Sequence, residues 1–136
     1  MSENLEFKYY RVKDEERNKL LERLRQEFLK QEDILFAYVH GSFIEVESFK
    51  DLDVAVWVND PERSFEYSVN LSVKLELKLR VPIDVHVLNE APLPFKHYVF
   101  TRGVLLFSRD EELRAKVVDL TLREYIDLLE LRRRSL

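Results

Sequence analysis

Two apolar runs separated by a punctuated gap restrict the fold of this chain more than any other feature. The first run, Ile34-Leu35-Phe36-Ala37-Tyr38-Val39, stops at His40-Gly41-Ser42, and the second, Leu52 to Val56, is entered through Asp51 and carries Asp53. Short apolar runs bounded by turn residues read as buried strands. On an extended strand, residues two apart share a face. Asp51 and Asp53 therefore point one way, while Leu52, Val54 and Val56 face the core. Two carboxylates that close repel each other and resist joint ionisation unless a cation joins them. A divalent metal bridged to phosphate oxygens is the candidate that satisfies both.

The 136 residues suit one domain spanning 1–136. A chain that is 46% hydrophobic and 35% charged is expected to be globular rather than disordered. It has no cysteine, which excludes disulfides and thiolate metal sites and suits a reducing cytoplasm. No apolar run approaches the roughly 18 residues of a membrane span, and Met1-Ser2-Glu3-Asn4 lacks a signal-peptide pattern, so no membrane role is expected. A net charge of −4 argues against nonspecific nucleic-acid binding.

Leu20, Leu21, Leu24, Phe28 and Leu29 are spaced as a helical stripe and predict a first helix over 14–31, with Asp14 as its cap. Strands are predicted over 34–39 and 52–58. Asn59-Asp60-Pro61-Glu62 is a helix start, with Asp60 as N-cap and Pro61 in the first turn. Every second residue from Phe65 to Val81 is then apolar or aromatic, which is a strand pattern, yet such a strand would exceed the usual length of about 3–10 residues. Leu71, Leu75 and Leu79 also form a row four apart, and the helix reading is preferred. Val81-Pro82 ends that helix. A third strand is predicted over 83–88, with Asp84 and His86 on one face, then a short helix over 94–101, a fourth strand over 104–107 and a final helix over 110–134. The pattern predicts an α/β (α+β) fold, a small mixed sheet flanked by helices.

Gly41-Ser42 after one strand, Asp51-Leu52-Asp53 opening the next, a crossover helix and a third strand carrying Asp84 resemble the DNA polymerase β-type nucleotidyltransferase superfamily. The likeness is narrower to the minimal nucleotidyltransferase (MNT) antitoxins, which are encoded beside HEPN-domain partners. Leu93-Pro94-Phe95, Arg102–Asp110 and Glu124–Leu128 resemble the later part of that family, and the likeness spans about residues 14–130. It implies a nucleotidyltransferase fold and transfer of a nucleoside monophosphate, AMP from ATP, onto a hydroxyl (a tyrosine) of a HEPN-type partner. By the same resemblance, Asp51, Asp53 and Asp84 hold two Mg²⁺ ions and carry catalysis, while Gly41, Ser42 and Lys50 bind the phosphates. Gly41 suits that role because backbone amides without a side chain approach a phosphate closely.

The chain departs from the family pattern after Gly41-Ser42. Glu45 and Val46 stand where an Arg-Gly pair is usual, and only eight residues separate Ser42 from Asp51. An acid in place of a base beside a triphosphate weakens its binding. This motivates the alternative, a binding module of the same fold that neutralises its partner by contact. His40 is expected to be packed or solvated rather than catalytic. His86 is expected to touch the site without ligating, because Mg²⁺ prefers oxygen. Trp57 and Phe49 read as core or rim aromatics, and Arg132-Arg133-Arg134 as a solvated tail. The final helix carries more apolar residues than one core stripe needs, which suggests a partner surface or a homo-oligomer.

Overall fold

In the computed structural model, which describes the backbone of residues 2–45 and 51–135 and the side chains of residues 15–41, 43–44 and 51–135, the two apolar runs become adjacent antiparallel strands. The sequence expectations for Lys50 and Phe49 lie outside the described residues, as does the side chain of Ser42. The chain runs through helix α1 (Ser2–Leu29), strand β1 (Ile34–His40), a single turn α2 (Ser42–Glu45) and strand β2 (Leu52–Val58). A 3₁₀ turn (Pro61–Arg63), a π-helical stretch (Glu66–Leu71) and helix α3 (Ser72–Leu79) lead to strand β3 (Ile83–Val87). Helix α4 (Leu93–Arg102), strand β4 (Val104–Ser108) and helix α5 (Glu111–Ser135) complete it. The strand order is β3-β2-β1-β4, with β2 and β3 parallel and the other pairs antiparallel, so the expected mixed sheet is present.

Both faces of this sheet are covered. On one face Val39, Val54, Val56 and Val85 pack against Leu24 and Phe28 of α1 and Leu75 and Leu79 of α3. On the other, Phe36, Tyr38 and Ala55 pack against Val99 of α4, with Trp57, Phe95, Phe100 and Val117 partly buried around them. Trp57 stacks on Phe36, with ring centroids 5.8 Å apart. Helix α5 is held at its start, where Asp110 Oδ1 accepts from the Leu113 N–H at 3.0 Å and the Arg114 guanidinium donates to the Tyr38 hydroxyl at 2.8 Å. Further along, Tyr125 stacks on His97 of α4 at 3.7 Å. Leu120, Ile126, Leu129 and Leu131 of α5 remain exposed.

One expectation is corrected. Helix α1 does not begin at Asp14 but runs through it from Ser2, because no glycine or proline precedes Gly41 and helix-favouring Glu, Lys, Arg and Leu dominate the segment. The run is helical from Phe65 to Leu79, as expected, and the structure explains its alternation. Tyr67, Leu71, Leu75 and Leu79 form a buried row, while Phe65, Val69, Val73 and Leu77 form a second row that is exposed. Four residues of α-helix overshoot a full turn by about 40°. The wider π turns between Glu66 and Leu71 counter that drift and keep each row straight. Asp60 caps the start as expected, accepting from the Glu62 N–H at 3.2 Å. Arg80, in the left-handed conformation with φ 58°, ends α3 just before Val81-Pro82.

Strand β3 is a sheet edge, and helix α3 shields part of it. The Ile83 N–H donates to Glu76 Oε1 at 3.0 Å and the Val85 N–H to Ser72 Oγ at 3.2 Å. Ser72 in turn donates to the Ser68 carbonyl at 2.7 Å. Replacing Ser72 with alanine strands the buried Val85 amide, so Ser72→Ala is expected to destabilise the fold by about 1–3 kcal/mol. Urea unfolding of the two proteins checks this. A variant as stable as the parent would show that the bond contributes nothing to holding β3.

Candidate active site

Strand register brings the acidic side chains together. His40 of β1 pairs with Asp53 of β2, and Asp53 pairs with Asp84 of β3. Residues level with one another across neighbouring strands project from the same face. One row of the sheet therefore carries His40, Asp53 and Asp84, and the next carries Tyr38, Ala55 and His86. The buried Ala55 leaves room for the His86 ring beside the acids. Ligand atoms of Asp53, Asp84 and His86 lie within 4.8 Å of one another. His86 Nε2 stands 3.7 Å from Asp84 Oδ2 and 3.9 Å from Asp53 Oδ1.

Asp51 sits one residue ahead of β2, outside the strand ladder, whose first pair with β3 is Leu52 with Ile83. Its charge still reaches Asp53. The Asp53 carboxyl is raised above the ordinary carboxylate range, first by burial, then by the Asp51 charge, with Asp84 adding and His86 opposing. The Asp53 side chain is only 21% exposed, whereas that of Asp84 is 61% exposed. Asp53 is thus the partly buried anion at the centre, and Asp84 is its solvent-facing neighbour.

Gly41 is the backbone's answer to this crowding. It has φ +80°, which L side chains rarely adopt, and a Cβ there would lie 2.5 Å from Asp53 Oδ2. Only glycine leaves room for the Asp53 carboxylate at the β1 corner. Ser42 begins α2 immediately after it, and Phe43 is buried and anchors that turn. The Arg17 guanidinium of α1 donates to the Phe43 carbonyl at 3.2 Å and lies 5.4 Å from the centre of its ring. A cation from α1 therefore stands at the turn where the sequence lacks the family's arginine. No periodicity in the sequence marked Arg17 for this position, because the pairing bridges 26 residues.

His40 is buried, and its ring lies 5.5 Å from Phe95, 5.7 Å from Tyr98 and 5.7 Å from His86. Burial, and secondarily the neighbouring His86, lower its pKa to about 4, against a weaker upward pull from Asp84. It is a neutral wall of the site, consistent with the packed role expected of it. His86 shares the face of Asp84, as its spacing of two implies.

The donor set fits a divalent cation. Two carboxylates on adjacent strands, a third acid nearby and one depressed tendency to ionise at the centre form an arrangement that a bound cation relieves.

The sequence model of the family described as "Polymerase beta, Nucleotidyltransferase" matches residues 22–112. A solved toxin–antitoxin structure with AMP-PNP superimposes with a TM-score of 0.63 at 21% identity, covering 80% of this chain and 92% of that one. A toxin–antitoxin MntA–HepT structure gives a TM-score of 0.63 at 21% identity, covering 85% and 92%. A tri-AMPylated Shewanella oneidensis HEPN toxin in complex with MNT antitoxin gives 0.58 at 25% identity, covering 89% and 92%. No curated protein matches the chain significantly. No helix among the described residues is long and apolar enough to cross a membrane.

The raised Asp53 pKa has a consequence for stability. An acid whose pKa is higher folded than unfolded costs stability once pH exceeds the unfolded value, and the cost is complete above the folded one. At pH 7 Asp53→Asn is therefore expected to raise the melting temperature of the metal-free chain. The difference is expected to shrink below pH 4. Added Mg²⁺ is expected to stabilise the wild type and not the variant. A variant that melts lower than wild type at pH 7 would contradict this reading.

Proposed function

We propose a function from one premise: this chain belongs to the polymerase β nucleotidyltransferase family. It is a nucleotidyltransferase, and its family uses a divalent metal and a nucleoside triphosphate. We read its reaction as transfer of AMP from ATP to a hydroxyl, a tyrosine, of a HEPN-type partner, which silences that partner. The observation that carries the reading is the registered pair Asp53–Asp84 beside a glycine that admits the Asp53 carboxylate. The fold-level likeness to an MNT antitoxin bound to an AMP-modified HEPN toxin supports the choice of acceptor.

The residues divide the work. Asp51 and Asp53 would hold one Mg²⁺ that arrives with the triphosphate, and Asp53 and Asp84 a second. When bound, these ions neutralise phosphate charge and align the attacking and leaving oxygens. Gly41 and the backbone of Ser42 open α2 as a phosphate cradle. Lys50 and Arg17 would add positive charge near the leaving group. The acceptor oxygen bonds to the α-phosphorus, its proton passes to Asp84, and the bond to pyrophosphate breaks.

A second reading rests on Leu120, Ile126, Leu129 and Leu131, exposed along α5. They suit a chain that neutralises its partner by contact, or pairs with a copy of itself.

One experiment separates the two. The chain is mixed with Mg-ATP and a HEPN-type protein encoded beside it, and the partner's intact mass is measured. Wild type is expected to add nucleoside monophosphate, and Asp51→Asn with Asp53→Asn to slow this at least about a thousandfold. No adduct from wild type, under conditions where the pair binds, would end the transferase reading. Full neutralisation by the double variant would favour contact.

A further inference from the structure

We propose that His86 supplies a nitrogen ligand to the second metal position, between Asp53 and Asp84, and that this position takes a divalent first-row transition ion in preference to Mg²⁺. This rests on the two metal positions of the proposed function and assigns one of them its ion.

Three groups converge there from two strands. Asp53 stands on β2, and Asp84 and His86 stand on β3. One ligand atom of each lies within 4.8 Å of the others. His86 Nε2 is 3.7 Å from Asp84 Oδ2 and 3.9 Å from Asp53 Oδ1. Both separations are too long for a hydrogen bond. They fall within the roughly 3.0–4.2 Å that divides two atoms each about 2.1 Å from one ion. Among the described residues, no hydrogen bond engages the His86 ring or either carboxylate. The three groups thus face one another across a gap of ionic size.

Packing fixes the ring in that position. Phe95 meets it edge-on with centroids 5.6 Å apart, and His40 lies 5.7 Å away. Ala55, the register partner of His86 on β2, is buried and contributes only a methyl group, which leaves the ring its place beside the acids. A ligand whose neighbours already hold its geometry binds its ion with little reorganisation. The His86 and Asp84 side chains are 41% and 61% exposed, which leaves ions a route in from solvent.

Ligand chemistry selects the ion. Mg²⁺ sheds its water reluctantly and is held through oxygen, so an imidazole offers it nothing over the water it would displace. First-row transition ions accept imidazole beside carboxylate. Two carboxylates balance the charge of a divalent ion, and the nitrogen adds the discrimination. The first metal position is offered only oxygen by Asp51 and Asp53 and suits Mg²⁺. His40 is the other nitrogen source nearby, since its buried Nε2 has no hydrogen-bond partner among the described residues.

The test uses the full chain and Mn²⁺ alone, added below one equivalent. Pulsed EPR reads nitrogen bound to the ion, and protein labelled with ¹⁵N at histidine identifies the source. Wild type is expected to show coupling to one imidazole nitrogen that changes with the label. His86→Gln is expected to abolish that coupling and to lower Mn²⁺ affinity, measured by calorimetry, by about tenfold or more, with a smaller effect on Mg²⁺. The wild-type spectrum needs no variant, so the assignment stays testable even if His86→Gln does not fold. Manganese bound through oxygen alone would overturn the assignment. So would coupling that survives in folded His86→Gln, which would make His40 or His97 the ligand. Nitrogen coupling in a chain that transfers no nucleotide with either ion would uphold the assignment and end the transferase reading. Oxygen-only binding in a chain that does transfer would sink the assignment and leave that reading standing.

Discussion

The register of three strands is the constraint on which the site depends. His40, Asp53 and Asp84 stand level only because β1, β2 and β3 pair as they do. A slip of one residue would turn each of them to the opposite face. The apolar residues between them oppose such a slip: Val39, Val54 and Val85 are buried on one face, and a one-residue shift would bring carboxylates into that core. Packing on one side thus holds charge on the other. The cost is visible at Asp53, whose ionisation is opposed by burial and by Asp51. A cation placed between the carboxylates would relieve that repulsion.

The same economy of elements shapes the edge of the sheet. Helix α3 and the π turns before it use one row of side chains to cover the core and Ser72 and Glu76 to satisfy β3. Beyond Ser72 the cover ends, and the strand borders an open cleft next to the acids. Cover and opening are two parts of one helix, so protection of the fold and access to the site are set by a single element.

Much of this was legible in the sequence, for identifiable reasons. Strands β1 and β2 announce themselves through apolar runs ending in turn residues, and a spacing of two puts Asp84 and His86 on one face. The resemblance then ordered Gly41, Ser42 and the three acids into one expected site. What stayed hidden depends on contacts between distant segments. The alternation from Phe65 to Val81 could not be resolved by period alone, because two rows four residues apart look like one row two apart. Arg17 reaches Phe43 from a helix whose own pattern shows only a core stripe. The close approach of Gly41 to Asp53 requires the β1–β2 pairing, which no local pattern reveals.

The proposed function requires Asp51, Asp53 and Asp84 to hold divalent cations at the end of this sheet. Anomalous diffraction from crystals soaked in Mn²⁺ with a non-hydrolysable ATP analogue tests it most directly. The expected result is manganese density bounded by the carboxylates of Asp53 and Asp84, with Asp51 completing the shell and the analogue's phosphates toward Gly41. Manganese bound elsewhere, or nucleotide bound with no metal between those carboxylates, would contradict the account.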